Sequence, residues 1–273
     1  MESQEIVREQ YGANSLQARV TDALRNAGLE SGPLKWSDLV PLDQFHVRGL
    51  TASRELAESL HIQTGSEILD VGCGLGGPAR FLAATYGCQV TGIDLSQPFV
   101  DIATMLTARC GMTKTVHYSQ ADALALPFHD MHFDDAWTQH VAMNIADRSR
   151  LYGEIHRVLK PGGRLAIYDV VAGDGRSLIF PVPWARRPEL SFLLTHDAMK
   201  TVLGAAGFHE VSWADKTAAS LAWFADLQTR LQTSPPLGLP VVMGPEFLEM
   251  AANLARNLHE GRVHLVQTIL RRD

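Results

Sequence analysis

The chain has 273 residues, 46% of them apolar and 20% charged, with a net charge of −6. That length supplies one complete core with elaborations. With no basic run longer than Arg186-Arg187 or Arg271-Arg272, the chain has no face suited to gripping a phosphate backbone, so no nucleic-acid partner is expected. Residues 1–60 read as helical and loop-like. Leu16, Val20, Leu24 and Leu29 are spaced for one amphipathic helix and Leu50, Leu56 and Leu60 for another, with Gly32-Pro33 breaking the two. A strand–helix rhythm follows. Strands are predicted over 67–71, 89–93, 116–120, 133–138 and 164–171, and helices over 78–86, 97–110 and 148–159. Lys160-Pro161-Gly162-Gly163 reads as the stop signal of the last helix. Such alternation builds a parallel sheet covered on both faces.

Beyond residue 171 the period is lost in GDGRSLIFPVPWARRPELSFLLT, a segment too long for an ordinary connection and of the kind that makes lids and binding loops. A helix over 196–206, a strand over 211–214, helices over 217–231 and 245–259 around the loop SPPLGLPVVMGP, and a β-rich run over 262–270 complete the chain. The expected organisation is a helical cap, 1–60, on one α/β domain, 61–273, with insertions at about 172–195 and 217–260. The opening MESQEIVREQYGANS has no apolar core like that of a signal peptide. No run approaches the ~18 apolar residues of a membrane helix. Cys73, Cys88 and Cys110 fit neither a zinc site nor a disulfide framework. A cytoplasmic protein with no membrane partner and no metal is expected, with monomer and homodimer both open.

Residues 66–78 read SEILDVGCGLGGP. A strand that runs into glycines and then a helix start lets a ligand lie against bare backbone at an electropositive helix end. Asp94 closes the next strand, GIDLS, at the spacing of a carboxylate that accepts both hydroxyls of a ribose. Gly72, Gly74 and Gly77 also satisfy the dinucleotide fingerprint, so an NAD(P)-dependent oxidoreductase is the rival reading. Against it, some 66 residues precede the fingerprint, and no Tyr-x-x-x-Lys pair occurs, Tyr152 being followed at the fourth place by His156.

ILDVGCGLGG, GIDLS, ADALALPF and FDDAWTQH stand in the order of four motifs, followed by LYGEIHRVLKPGGRLAIYDV. Over residues 66–171 the sequence resembles the class I S-adenosylmethionine-dependent methyltransferases. The likeness is to their small-molecule branch, near the ubiquinone/menaquinone, tocopherol and sarcosine–dimethylglycine enzymes. The resemblance implies a doubly wound, Rossmann-like sheet of seven strands whose last strand is antiparallel, a role that RVHLVQTIL fits. It implies S-adenosyl-L-methionine as cofactor and a small-molecule acceptor. Gly72, Gly74 and Gly76 would approach the methionine part and ribose, with Asp70 reaching the amino group. Asp94 would take the ribose hydroxyls and Leu95 would lie against the adenine. Asp122 would accept the adenine amino group between Ala121 and Ala123, the latter offering a backbone amide. Gln139 would lie near the sulfonium.

Methyl transfer from a sulfonium asks the protein to align the nucleophile, exclude water and remove a proton where the acceptor has one. His140, just past the fourth predicted strand, is the candidate base, its ordinary pKa of ~6.5 suiting proton transfer. Asp169 would orient the imidazole or act beside it. Phe45, His46, Asn144 and Trp184 are candidates for the acceptor pocket, Asn144 serving equally as a helix cap and Trp184 as a loop anchor. The acceptor itself stays open between a small amine such as sarcosine or dimethylglycine and a quinone-like or natural-product scaffold. An amine bearing a carboxylate would call on an arginine such as Arg48, Arg186 or Arg187.

Overall fold

Alternating side chains along the strands decide the layers. In the computed structural model, which describes residues 13–230 and 237–273, Ile68, Ala166, Tyr168 and Val170 face one core cluster. Their neighbours Leu69, Leu165, Ile167 and Val171 face another. Strands apolar on both faces need a cover on each side. The strands are β1 (Glu67–Val71), β2 (Gln89–Asp94), β3 (Val116–Gln120), β4 (Phe133–Gln139), β5 (Leu159–Ala172), β6 (Phe208–Asp215) and β7 (Val263–Arg272). They form one seven-stranded sheet in the order β3-β2-β1-β4-β5-β7-β6. β7 runs antiparallel to both β5 and β6, as the resemblance implied.

The helices are α1 (Ala13–Asn26), α2 (Val40–Asp43), α3 (Leu50–Leu60), α4 (Gly77–Tyr86), α5 (Gln97–Arg109), α6 (Arg148–Val158), α7 (His196–Ala205), α8 (Thr217–Arg230), α9 (Leu239–Met243) and α10 (Phe247–His259). α3, α4, α8 and α10 contribute to the first cluster, and α6 and α7 to the second. A third cluster joins Leu16, Val20 and Leu24 of α1 to Phe99, Ile102 and Leu106 of α5 and Val242 of α9. The first described helix thus packs with α9, more than two hundred residues later in the chain, beside α5. The sheet order reverses between β1 and β4, so the crevice expected of such a fold opens at their carboxyl ends.

The structure departs from the expectations in four places. α6 ends at Val158, where the stop signal Lys160-Pro161-Gly162-Gly163 follows, but β5 starts at Leu159 and not at 164, taking that segment up as an irregularity opposite Phe133 and Asp135. Gly163 is required there, because a Cβ would lie 2.6 Å from the Asp134 carbonyl oxygen. β6 is longer than 211–214 because its register with β7 is sustained to Phe208 and Asp215. The loop SPPLGLPVVMGP contains helix α9, and its first residues, with Leu231, lie outside the described residues, as do residues 1–12 of the expected cap. The short helix α2, with Pro41 in its first turn, was not read from the sequence.

Candidate active site

After β1 the chain turns through Gly72, Gly74 and Gly76 at φ of 74°, 54° and 78°, conformations cheap only for glycine. Their bareness also faces the protein itself. A Cβ on Gly72 would lie 2.4 Å from Val141 Cγ2, one on Gly74 3.0 Å from the Phe45 ring, and one on Gly76 2.1 Å from the Tyr118 hydroxyl. The Gly72 and Cys73 amides donate to the Ile93 carbonyl at 2.8 and 2.9 Å.

Asp94, at the tip of β2, fastens this loop: Oδ2 accepts from the Gly74 amide at 3.0 Å and Oδ1 from the Ser96 amide at 2.9 Å. Burial pushes its carboxyl up to about 6, against the pull of those amides. Asp70 is buried and its Oδ2 has no hydrogen-bond partner. Burial, and then the neighbouring Asp94, push it up to about 8. A buried carboxyl oxygen without a partner at the foot of a glycine loop is a place for a ligand donor. Beside Asp94, the Leu95 carbonyl accepts from Gln120 Nε2 at 3.0 Å and the Ala121 amide donates to the Asp94 carbonyl at 3.0 Å. Asp122 Oδ1 caps its own turn, accepting from the Leu124 amide at 2.9 Å, and Ala123 is half-buried there.

On the other side of the crevice β4 delivers Gln139 and His140. Gln139 Oε1 accepts from the Trp137 indole at 3.0 Å and from Ser53 Oγ at 3.2 Å, while its buried Nε2 has no partner. His140 takes a left-handed backbone, φ 53°, uncommon for a residue with a side chain. Its amide donates to the Tyr168 carbonyl at 2.9 Å. Its ring stacks on Tyr168, centroids 5.4 Å apart and planes 6° from parallel, and stands edge-on to His46 at 6.1 Å. His140 Nε2 is buried without a partner, and burial, then His46, hold the imidazole well below its ordinary range. His46 Nε2 lies 2.9 Å from the Gly49 carbonyl, which makes it the protonated nitrogen, and burial pushes this ring down to about 4. Two neutral imidazoles therefore face each other near pH 7.

His46 and His140 line a chamber with Phe45, Val47, Pro183 and the insertion residues Trp223, Phe224, Leu239, Met243, Phe247, Ala251 and Leu254. Its volume is about 30 Å³, room for little more than one water, so a larger guest enters only if the walls move. The sequence missed every member from α8, α9 and α10. In α10, Phe247, Met250, Ala251, Leu254 and Leu258 are a helix face spaced for burial, and nothing in that spacing separates a chamber wall from plain core.

Three sequence expectations change. Asp169 does not orient His140. Along β5 it points to the face opposite Tyr168, where its carboxylate accepts from the Ala142 and Val170 amides at 3.2 and 2.9 Å. Asn144 is not the cap of α6; Asp147 is, accepting from the Arg150 amide. Trp184 anchors the proline-rich segment, 6% exposed, its indole donating to Ser191 Oγ at 2.9 Å, and the neighbouring Pro183 reaches the chamber instead.

Residues 69–167 match the model of the Methyltransferase domain family. The chain carries a class I S-adenosylmethionine-dependent methyltransferase domain. It is 35% identical over 182 residues to the O-methyltransferase cnsE of Penicillium expansum, covering 66% of this chain and 65% of that protein. It is 37% identical over 171 residues to the 2-methyl-6-phytyl-1,4-hydroquinone methyltransferase of Synechocystis, covering 58% of this chain and 52% of that one. The methyltransferase GfsG of Streptomyces halstedii matches at 37% over 136 residues, 50% of this chain and 49% of that one. The matches thus span about half to two thirds of these relatives. Among solved structures, the [4+2]-cyclase SpnF superposes with a TM-score of 0.72 at 26% identity over 99% of this chain and 96% of that one. A putative sarcosine dimethylglycine methyltransferase from Galdieria sulphuraria superposes equally well, at 0.72, with 17% identity over 92% of this chain and 96% of that one, and shares the fold. The dinucleotide rival has no support among these proteins. The residues at the crevice fit the cofactor of such a domain: a glycine turn of left-handed backbone after the first strand, and unpartnered buried atoms on Asp70 and Gln139 beside it. Among the described residues no group of His, Cys, Asp or Glu could hold a metal ion, and no helix is long and apolar enough to cross a membrane.

Proposed function

We propose that this chain transfers the methyl group of S-adenosylmethionine to a hydroxyl on a largely apolar small molecule. One observation carries the reading: an unpartnered imidazole nitrogen, His140 Nε2, kept neutral by burial, in a chamber otherwise walled mostly by apolar side chains. The cofactor, when bound, supplies an electrophilic methyl on a sulfonium. The loop at Gly72, Gly74 and Gly76, with Asp70, holds its methionine part. Asp94 takes the ribose hydroxyls, and Leu95, Ala121, Asp122 and Ala123 take the adenine. Gln139, its oxygen already engaged, offers its amide nitrogen between the cofactor and the acceptor. His140 accepts the hydroxyl proton at Nε2, Tyr168 holds the ring flat, and Phe45 and His46 shape the wall. Asp169 has no part in the proton transfer.

The amine alternative lacks an arginine in the chamber: Arg48 pairs with Glu55, and Arg186 and Arg187 lie exposed and are not among the lining residues. The test is release of S-adenosylhomocysteine with a panel of apolar phenols and alcohols set against sarcosine and dimethylglycine. Release with the first group is expected, and release with the amines alone overturns the reading. A second reading draws on the likeness to a [4+2]-cyclase over 99% of the chain: a largely apolar chamber also suits an intramolecular cycloaddition, which moves no proton. A chain that binds S-adenosylmethionine and releases no S-adenosylhomocysteine with any acceptor favours it.

A further inference from the structure

Behind the glycine loop lies a connected set of buried polar groups that the proposed chemistry does not use. Arg80 of α4 is fully buried. Its Nη2 donates to Asp43 Oδ2 at 2.7 Å and to the Leu75 carbonyl at 2.8 Å, and its Nη1 to Thr107 Oγ1 at 2.9 Å and the Ala103 carbonyl at 3.3 Å. Tyr118, 3.1 Å from Thr107 Oγ1, donates its hydroxyl to the Gly76 carbonyl at 3.2 Å. Arg80 therefore holds, at once, a carbonyl of the glycine loop and a carboxylate of α2. A planar fork can serve such a set of acceptors where a lysine ammonium cannot. The backbones meet equally closely, a Cβ on Gly77 falling 2.4 Å from the Asp43 carbonyl oxygen.

From Asp43 the connection runs on to the acceptor side. Gln44 Nε2 lies 3.5 Å from Asp43 Oδ1, and Ser53 Oγ lies 2.9 Å from Gln44 Oε1, 3.1 Å from His46 Nε2 and 3.2 Å from Gln139 Oε1. One end of this set is the back of the cofactor loop. The other is the wall of the chamber.

We propose that Arg80 is a positioning residue: through Asp43 it locks the strap of residues 43–53 to the glycine loop, so that seating the cofactor and closing the acceptor chamber are coupled. The inference rests on reading the loop as the S-adenosylmethionine site. Its test is calorimetry with S-adenosylhomocysteine alongside hydrogen exchange of the backbone amides in residues 43–53. In the unaltered chain the ligand slows exchange across that strap. Arg80→Met alone strands Asp43 as a buried carboxylate and endangers the fold, so the decisive variant carries Asp43→Leu as well, leaving no unpaired charge. It is expected to bind at least tenfold more weakly and to lose the ligand-induced protection of the strap, which a merely structural pair would leave intact. Unchanged affinity and protection overturn the proposal. Should that variant not fold, Arg80→Lys decides: it keeps the charge beside Asp43 but cannot span Asp43 and the Leu75 carbonyl together, so weaker binding, roughly threefold, and reduced protection of the strap are expected, and both unchanged is the overturning result. An unaltered chain that does not bind S-adenosylhomocysteine defeats the functional reading together with this one; binding that the variants leave unchanged defeats this one alone.

Discussion

The two sides of the crevice at Gln139 and His140 are built in opposite ways. On the cofactor side the walls are backbone: glycines in left-handed conformations, amides fastened to Asp94, and carbonyls held from behind by Arg80 and Tyr118. On the acceptor side the walls are side chains drawn from segments far apart in the chain, from Phe45 to Leu254, and largely apolar. A backbone-built site demands specific residue types at fixed spacings, because only glycine can turn there and only a short acid can reach the amides. A side-chain-built chamber asks only for apolar bulk, and many sequences supply that. The first half should tolerate little change, and the second should change its guest without losing its cofactor.

That contrast can be broken at several points. The largest effect is expected where the halves meet: His140→Ala should lower kcat by about 10²–10⁴-fold, the worth of a placed base, while calorimetry finds cofactor affinity nearly unaltered. Retained turnover would pass the proton to water or to another group. Next, Asp94→Ala should weaken S-adenosylmethionine binding at least about tenfold by removing the proposed ribose acceptor together with the fastening of Gly74. The same titration showing equal affinity would remove Asp94 from the site. On the acceptor side, Met243→Ser, away from the strap of residues 43–53 that couples the halves, should raise KM for an apolar acceptor about tenfold and leave the cofactor constant unmoved; an effect on both would extend the coupling beyond that strap.

The smallest effect is on stability without ligand. In the folded chain Asp70 titrates at about 8 against an ordinary 3.8. Between those values the native state keeps a proton that the unfolded state has lost, so stability falls as pH rises through that window. Asp70→Asn, which cannot ionise, should therefore stabilise the cofactor-free chain by an amount that grows from about pH 4 and levels off above 8. Thermal unfolding at pH 5 and pH 8.5 measures it, and a gain that is the same at both values would place the cause elsewhere.

The split between the halves also marks what could be read in advance. The strand–helix rhythm, the glycine turn and Asp94 at the next strand tip were legible, because each is a local demand of backbone geometry or a short-range spacing; the antiparallel end of the chain came only with the family resemblance, its own pattern showing no more than a β-rich run. One signal was there and passed over: Arg80 stands in the apolar run GGPARFLAATY, where a cation must find buried acceptors. Asp169 was misjudged for a reason internal to a strand. Successive side chains point to opposite faces, and the residue facing His140 is Tyr168. What the sequence determined by itself was the strand–helix order and a nucleotide crevice at a glycine turn, since these follow from periods of two and near four residues and from glycines with no substitute; the choice of cofactor came from the order of four motifs that resemble those of a known family. Only the tertiary structure decided that Asp43 would meet Arg80, that Ser53 would reach Gln139, and that the C-terminal helices would close over His140. Those contacts join residues from 37 to more than a hundred positions apart, and no local rule carries information over such distances.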